Sequence, residues 1–229
     1  MRLAIISDIH EDIDSLRNIL QKAERMGYDQ LVCLGDISGY SLPYYNYENS
    51  RNAVACLALL REKCSIIIAG NHDLHAAGRK PDLPEEIKDH ETWQHEHDRN
   101  PGYGKEDISY LLSLPAYEVL HTADFNILFS HYVYPNLSGF VKGFYSRGKE
   151  FEPHFSFMQE HGCSLGFTGH AHPSGFYKVQ SHRFKQYNYR GIQLSSPPAI
   201  IGISPVTRND HLSGFCIFDT HKRRLQVLR

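Results

Sequence analysis

The stretch LAIISDIH, residues 3–10, joins a short apolar run to two polar side chains, Asp8 and His10. The run LAII (3–6) is continuous and contains two β-branched isoleucines, which is typical of a strand that is buried on both faces. Apolar residues at helical spacing follow over 13–26, and a glycine ends that pattern as a helix C-cap would. The start of the chain therefore predicts a buried strand that ends in polar residues and leads into an amphipathic helix.

The same alternation of strand and helix patterns continues along the chain. LVCL (31–34) and SIIIA (65–69) have the pattern of buried strands, and residues 49–62 between them have helical spacing. This β-α-β-α-β order predicts a sheet of parallel strands with flanking helices. Further strands are predicted at 126–130 and 164–168, with a helix before the second. Antiparallel strands are expected in the tail, at 175–180, 184–189, 191–194, 213–219 and 224–228.

Residues 74–106 break this rhythm. They are polar, rich in His, Glu and Asp, and contain three prolines. We expect an insertion with a helix around Trp93 that lies over one end of the sheet. Because no repeat, low-complexity segment or linker is visible, the sequence predicts a single domain over 1–229 with a lid-like insertion at about 74–106.

The composition excludes several classes of protein. The chain has 229 residues and a formal net charge of −2, so it carries no strong electrostatic signal for nucleic acid or anionic membranes. Its five cysteines lack C-x-x-C spacing, which indicates buried thiols in a reducing compartment. No apolar run approaches the roughly 20 residues of a membrane span, and the N-terminal run is too short for a signal peptide. We therefore expect a cytoplasmic protein, with its oligomeric state left open.

Polar residues follow each predicted buried strand, where the carboxyl ends of parallel strands share one edge of a sheet. In an extended chain, residues i and i+2 point the same way, so D-x-H and H-x-H pairs each bring two ligands to one place. Neighbouring glycines at 35, 70 and 169 leave room for tight turns. Imidazole, carboxylate and amide oxygen suit Mn, Fe, Zn or Ni. The residues concerned are Asp8, His10, Asp36, Asn71, His72, Asp73, His131, His170 and His172.

The ordered motifs D-x-H, G-D, G-N-H-D, H and G-H-x-H, within residues 8–172, resemble those of the calcineurin-like metallophosphoesterases. The length and the GDISGY segment are similar to those of small bacterial and archaeal phosphodiesterases of that superfamily. The resemblance implies an α/β fold, a four-layer αββα sandwich of two mixed sheets flanked by helices. It also implies two divalent metal ions. The first would be bound by Asp8, His10 and His172, and the second by Asn71, His131 and His170, with Asp36 bridging them.

The resemblance further assigns roles in catalysis. His72 would lie near the scissile phosphate and stabilise or protonate the leaving oxygen, and Asp73 would orient His72. Two dications would lower the pKa of a bridging water, giving a hydroxide that attacks phosphorus in line. Asn71 and His72 would also contact the substrate.

Other residues are candidates for substrate contacts. Tyr40, at the head of a tyrosine-rich segment, either packs within a lid or stacks on a base or sugar. His75 is the histidine of the insertion best placed to reach the site. Lys142 and Arg147 either contact a substrate phosphate or lie in a solvated loop.

Two segments depart from the family pattern. The first motif reads DIHED, so that Glu11 and Asp12 add negative charge near the site, where they either cap the following helix or repel highly charged substrates. SSPPAIIG (195–202) stands where small phosphodiesterases often carry Asn-Pro-Gly-Ser.

The leading functional hypothesis is a binuclear metal-dependent phosphoesterase that acts on a small phosphodiester or nucleotide-type substrate. GDISGY lacks the arginine with which Ser/Thr protein phosphatases bind a phosphomonoester dianion. The alternatives are a phosphomonoesterase on small molecules or nucleotides, and a non-catalytic, metal-binding protein-interaction scaffold of the same fold. A nuclease of the superfamily is disfavoured, because the chain is short and has no basic surface signal.

Overall fold

The computed structural model describes residues 1–80, 83–194, 197–208 and 213–229. Two short 3-10 helices lie at Glu48–Ser50 and Gly148–Phe151. The helices within these ranges are α1 Ile13–Met26, α2 Ala53–Lys63, α3 Asn71–Ala76, α4 Lys105–Ser113 and α5 Glu152–Glu160. The strands are β1 Arg2–Ile6, β2 Gln30–Cys33, β3 Ile66–Ile67, β4 Tyr117–His121, β5 Asn126–Ser130, β6 Cys163–Thr168, β7 Phe176–Gln180, β8 Arg183–Tyr187, β9 Gly191–Gln193, β10 Ala199–Ile203, β11 Phe215–Asp219 and β12 Arg224–Leu228.

The described strands form two mixed sheets of six strands each. The first has the order β3-β2-β1-β11-β12-β9, in which β1, β2 and β3 run parallel and the other pairs are antiparallel. The second has the order β4-β5-β6-β10-β7-β8, in which β5, β6 and β10 run parallel. Both the parallel β-α-β-α-β start and the antiparallel tail are confirmed.

Side chains of β1 show why the apolar runs are continuous. Leu3 and Ile5 lie in the cluster between the two sheets, whereas Ala4 and Ile6 lie in the cluster under α1 and α2. Successive residues of a strand point to opposite faces, so a strand covered on both faces has no polar position. A third cluster packs α5 against the outer face of the second sheet. These layers make the expected αββα sandwich.

The helix that follows the first strand has the predicted bounds. The side chain of Asp12 caps α1 by accepting the backbone N–H of Ser15 at 3.1 Å, and Gly27, at φ 75°, ends the helix. Of the two alternatives for Asp12, the helix cap is therefore confirmed. Glu11 is buried and accepts the N–H groups of Gly39 and Tyr40.

The predicted helix around Trp93 is wrong. Residues 83–104 contain turns and isolated bridges but no helix. Their backbone pairs with other loops instead, since the N–H of Trp93 donates to the carbonyl of Phe140 at 3.0 Å. The segment is thereby spread across the end of the sandwich.

Several smaller features complete the comparison with the sequence. Four elements were not predicted, namely α3, α4, β4 and β10. All five cysteines are free, and all but Cys64 are buried. Of SSPPAIIG, the first two residues lie outside the described ranges and the last four form most of β10. None of the described helices has the length and hydropathy that crossing a bilayer requires.

Candidate metal centre

The candidate ligands come from strand ends of two sheets rather than one. Asp8 and His10 follow β1 and Asp36 follows β2 in the first sheet, whereas His131 follows β5 and His170 follows β6 in the second. The expectation of one shared edge in a single parallel sheet is corrected accordingly. The sandwich packs the two sheets face to face, and this brings the two sets of strand ends together.

Among described residues, four histidine–aspartate groups could hold a metal ion, and two adjoining ones consist only of predicted ligands. Within each group the candidate donor atoms lie within 4.8 Å of one another. His10 Nε2 lies 3.2 Å from His172 Nε2, and His131 Nε2 lies 3.2 Å from His170 Nδ1. Donors around a tetrahedral ion are roughly 3.3 Å apart, given metal–nitrogen bonds of about 2.0–2.1 Å. The first group is Asp8, His10 and His172, and the second is Asp36, His131 and His170.

Asp36 lies between the two groups. Its Oδ2 is 3.1 Å from His131 Nε2 in the second group and 3.9 Å from His10 Nε2 in the first. Its Oδ1 accepts the backbone N–H of His72, the second residue of α3, at 3.0 Å. This position is the one that a bridging carboxylate needs.

The backbone at these residues has an uncommon conformation. Non-glycine residues with positive φ are rare and cluster at functional sites. Here Asp8, His10, Asp36, His170 and His172 have φ between 44° and 63°. The D-x-H and H-x-H pairs are therefore not extended, which corrects the argument from i and i+2. The two histidines of the second pair enter different groups.

Backbone carbonyls fix the tautomers of two imidazoles. A carbonyl can only accept, so His10 Nδ1–H donates to Gly39 at 3.1 Å and His131 Nδ1–H donates to Leu34 at 2.7 Å. When the ring is neutral, as a metal ligand must be, each Nε2 therefore carries a lone pair that faces the centre. This is the outer-shell arrangement of metal-ligating histidines.

The buried charges of the centre fit cations. Asp8 and Asp36 are at most 2% exposed, and in the described part of the chain their ion pairs are all with histidines. Buried carboxylates that lack Lys or Arg partners are costly unless a cation is near. The Oδ1 atom of Asn71 is also buried without a hydrogen-bond partner among described groups. The residues present therefore fit divalent metal ions, Asn71 included.

The pKa shifts follow from burial and from the close pairing. Burial lowers the pKa of His10 to about 3 and also depresses that of His170, so both imidazoles stay neutral. Burial alone would raise the pKa of Asp8, but His172 and His131 lower it to about 2. Burial opposes protonation of His131, yet Asp36 and Asp8 raise its pKa to about 9. The two carboxylates thus favour a positive charge at this point of the centre.

The orienting partner of His72 is Asp98, so the prediction that Asp73 orients it is wrong. Asp98 Oδ2 lies 2.6 Å from His72 Nδ1. Asp73 instead accepts the backbone N–H groups of Ile37 and Ser38, both at 3.0 Å, and that of Gly70 at 3.2 Å. The helix start points the Asp73 carboxylate at the loop after β2, away from the imidazole of its neighbour.

Two of the three glycines noted in the sequence serve a different purpose from the one expected. Gly35 does turn the chain, at φ 95°. Gly70 and Gly169 allow close approach, because an added Cβ would lie 2.1 Å from Asp36 Oδ1 and 1.9 Å from Ser7 Oγ respectively. A side chain at either position would push into the centre.

Four of the six predicted substrate contacts lie elsewhere. Tyr40 is completely buried in a cluster with Tyr45 and Tyr47, so the packing interpretation holds for it. His75 is exposed to solvent, and its ring contacts that of His95, with the two ring centroids 4.7 Å apart. Lys142 pairs with Glu91, and Arg147, 82% exposed, pairs with Glu150. Lys142 is thus paired with an acidic residue of the insertion, and Arg147 with an acidic residue of its own loop.

A cleft of about 520 Å³ opens onto the centre. Asn71 and His72, the other two candidates for substrate contacts, line it together with residues that the sequence did not indicate. A single sequence carries no periodic signal for such loop residues, because their positions depend on how the insertion crosses the sandwich. Tyr44 and Tyr45, which also line the cleft, belong to the tyrosine-rich segment for which stacking was one of two alternatives. The residues that were missed include Trp93, Gln94, His95, His97, Asp98 and Phe144.

The fold and the centre together define the class, an α/β two-sheet sandwich of the metallophosphoesterase type. Residues 1–174 match the calcineurin-like phosphoesterase family, and the chain belongs to this family. The resemblance seen in the motifs is thereby confirmed.

Two solved structures have a similar fold, and a further protein matches part of the sequence. A metallophosphoesterase from Sphaerobacter thermophilus has a similar structure, with a TM-score of 0.73, 24% identity and coverage of 100% of this chain and 87% of that one. A hypothetical protein from Pyrococcus horikoshii has a TM-score of 0.67, 16% identity and the same coverage. An uncharacterized protein from Methanocaldococcus jannaschii is 32% identical over 78 residues, which are 34% of this chain and 28% of that protein. This chain thus matches less than a third of that relative's length.

Proposed function

We propose that this protein is a metal-dependent phosphodiesterase with a binuclear centre, which hydrolyses small phosphodiester or nucleotide-type substrates. The observation that carries the proposal is the pair of adjoining histidine–aspartate groups with Asp36 between them, at the floor of an open cleft. Family membership gives the reaction class, since the matched family is one of phosphoesterases.

The proposed ligand sets follow the two groups. Asp8, His10 and His172 would hold one ion, and His131, His170 and Asn71 the other, with Asp36 shared. Two bound dications supply Lewis acidity, which neutralises charge on phosphoryl oxygens and lowers the pKa of a water.

The protein's own groups would then handle the proton. The Nδ1–H of His72 donates to Asp98, which leaves Nε2 as the free ring nitrogen of a side chain that lines the cleft. Burial alone would lower the pKa of His72, but the carboxylates of Asp36 and Asp98 raise it above its ordinary value. A protonated His72 is suited to donate a proton to the leaving alcohol, as general acids do.

Hydrolysis of bis(p-nitrophenyl) phosphate tests the proposal. Protein stripped with a chelator should be inactive and should regain turnover with Mn²⁺, and elemental analysis should find close to two ions per chain. Asp36→Asn should lower both the metal content and kcat, the latter by about 100-fold or more, since removing a ligand disturbs both ions. His90→Gln, an exposed histidine of the insertion, is the control and should behave as wild type.

Two outcomes would contradict the proposal in different ways. Absence of turnover with every one of Mn, Fe, Co, Ni and Zn would remove the catalytic assignment. If metal bound stoichiometrically in that case, the interaction-scaffold alternative would take its place. Failure to bind any of these ions would instead remove the ligand assignment itself.

A further inference from the structure

The mouth of the cleft exposes aromatic side chains. Tyr44 is 70% exposed and Phe144 is 53% exposed, and both line the cleft. They are two of only five large apolar side chains that are exposed in the described part of the chain. Exposed apolar surface gathered at one concave site commonly marks a binding surface.

Two aromatic rings that line the cleft form an aromatic wall beside the candidate metal centre. We use this name for Trp93 and Phe144, whose ring centroids are 5.8 Å apart. The ring of Phe144 lies 5.3 Å from that of His170, and Trp93 lies 6.3 Å from it. On the other group of the centre, the ring of Tyr45 lies 5.0 Å from that of His10. Aromatic surface therefore flanks both groups.

The side chains that line the cleft also limit the charge of a substrate that it can bind. Among described residues, those that line the cleft include no lysine or arginine. Lys142 and Arg147, the two cations predicted to contact a substrate phosphate, are paired with Glu91 and Glu150. A second phosphate, or the extra charge of a phosphomonoester, would therefore find no lysine or arginine side chain there. Charge-assisted contacts from Arg or Lys are the usual means of binding such groups.

We propose that the cleft selects phosphodiesters with one negative charge whose retained group carries a flat aromatic ring such as a nucleobase, and that the aromatic wall stacks on this ring. The inference rests on the phosphodiesterase function proposed above. A cleft of about 520 Å³ has room for a nucleoside with its phosphate. In the reaction, water oxygen bonds to phosphorus, the phosphorus–oxygen bond to the leaving alcohol breaks, and a proton passes to that alcohol.

A pair of substrates with the same leaving group isolates the retained group. We would compare kcat/KM for the p-nitrophenyl ester of thymidine 5′-phosphate with that for ethyl p-nitrophenyl phosphate. Stacking is worth about 1–3 kcal/mol per base, so the nucleoside ester should be favoured by about 5–150-fold. Trp93→Ala and Phe144→Ala should each shift this ratio towards one, and Phe144→Tyr should keep it. Leu112→Ala removes an exposed apolar side chain outside the cleft and should keep the ratio.

Charge selection has its own comparison. The diester ethyl p-nitrophenyl phosphate, whose retained group has no ring to stack, should be hydrolysed with at least about tenfold higher kcat/KM than the monoester p-nitrophenyl phosphate, because the dianion meets no lysine or arginine in the cleft. Equal or faster turnover of the monoester would overturn the charge part of the inference and favour the phosphomonoesterase alternative.

Binding can also be followed without turnover. Trp93 is the chain's one tryptophan, so its fluorescence reports directly on the wall. In metal-free protein, thymidine 5′-(methyl phosphate) should quench this emission saturably, and dimethyl phosphate should leave it unchanged.

The possible failures are separable. Equal kcat/KM for the nucleoside and ethyl esters, or no selective quenching, would overturn the stacking inference and leave the phosphodiesterase function standing. Absence of turnover for every diester would remove the proposed function instead.

Discussion

At the scale of single residues, the backbone conformation of the candidate ligands stands out. Five of them adopt positive φ, a region that non-glycine residues occupy at a cost of about 1–3 kcal/mol when it is strained. Such conformations persist only where surrounding contacts hold them. Here those contacts include the N–H of His170, which donates to both carboxylate oxygens of Asp8.

The Asp98–His72 contact gives a prediction at this scale. Asp98→Asn should lower kcat by about 10–100-fold with little change in KM, because the imidazole loses the carboxylate that orients it. Asp98→Glu should restore part of kcat. Steady-state kinetics with the activating metal would measure both. The matched change Asp73→Asn should chiefly lower the melting temperature, because the Asp73 carboxylate accepts hydrogen bonds from backbone N–H groups. Wild-type kcat in Asp98→Asn would contradict this assignment.

A glycine beside the centre gives a second residue-scale prediction. At Gly139, φ is 76° and an added Cβ would lie 2.5 Å from His170 Nδ1. Gly139→Ala should therefore displace His170 and lower the metal content measured by elemental analysis. Gly143→Ala is the control, because that glycine has φ 111° but nothing within 4 Å of its added Cβ. An equal loss of metal in both variants would mean that backbone strain, not the collision, is responsible.

At the scale of elements, caps decide where the helices that flank the first sheet begin. Asp12 is the N-cap of α1, and Asn52 is the N-cap of α2, where its side chain accepts the N–H of Ala55 at 2.9 Å. Both caps satisfy a backbone donor that the helix itself leaves unpaired. The strand-to-helix connections are fixed by these contacts, and the candidate ligand Asp8 lies in one of them.

The cap of α2 can be tested by itself because Asn52 is exposed. Asn52→Ala should lower the free energy of unfolding by about 1 kcal/mol, measured by urea denaturation. Asn52→Asp keeps an acceptor oxygen and should be close to wild type. If both substitutions lowered the free energy of unfolding equally, the cap contact would not contribute to stability.

At the scale of the whole molecule, the cluster between the sheets positions the centre. Ile5, Phe129, Phe167 and Phe218 are completely buried there, and the rings of Phe129 and Phe167 stack at 6.0 Å. Close packing allows few alternative offsets between two sheets. The distance between ligands from different sheets, such as Asp36 and His131, is thus set by this core.

The stability of the whole fold should depend on the protonation of His154. This histidine of α5 is completely buried, and burial lowers its pKa to about 3. Its Nδ1 accepts the N–H of Tyr134 at 2.9 Å. The unfolded chain binds a proton near pH 6.5 and the folded chain does not, so stability must fall as pH drops below that value.

Urea denaturation of metal-free protein at a series of pH values measures this effect. Between pH 6 and 5, wild type should lose about 1 kcal/mol per pH unit more than His154→Gln, which retains an acceptor but cannot titrate in this range. Parallel pH curves for the two proteins would show that His154 is not held neutral by the fold.

How far the sequence predicts the site varies by residue. The strand-end motifs indicate every candidate ligand, because their order and residue types are local. The sequence nevertheless led to the wrong partner for His72, because Asp98 lies 26 positions away in a segment without periodicity. Tyr40 likewise has the composition of a stacking residue, and only its burial at 0% exposure decides otherwise.

The sequence by itself determined the buried strands other than β10, the helix after the first of them, the antiparallel tail and the family. Each of these follows from a pattern of neighbouring residues or from motifs in order. The tertiary structure alone decided which sheet each strand joins, which carboxylate contacts His72 and which insertion residues reach the cleft. The physical reason is that these depend on packing between distant segments, where sheet offset and loop path, rather than local spacing, set which side chains meet.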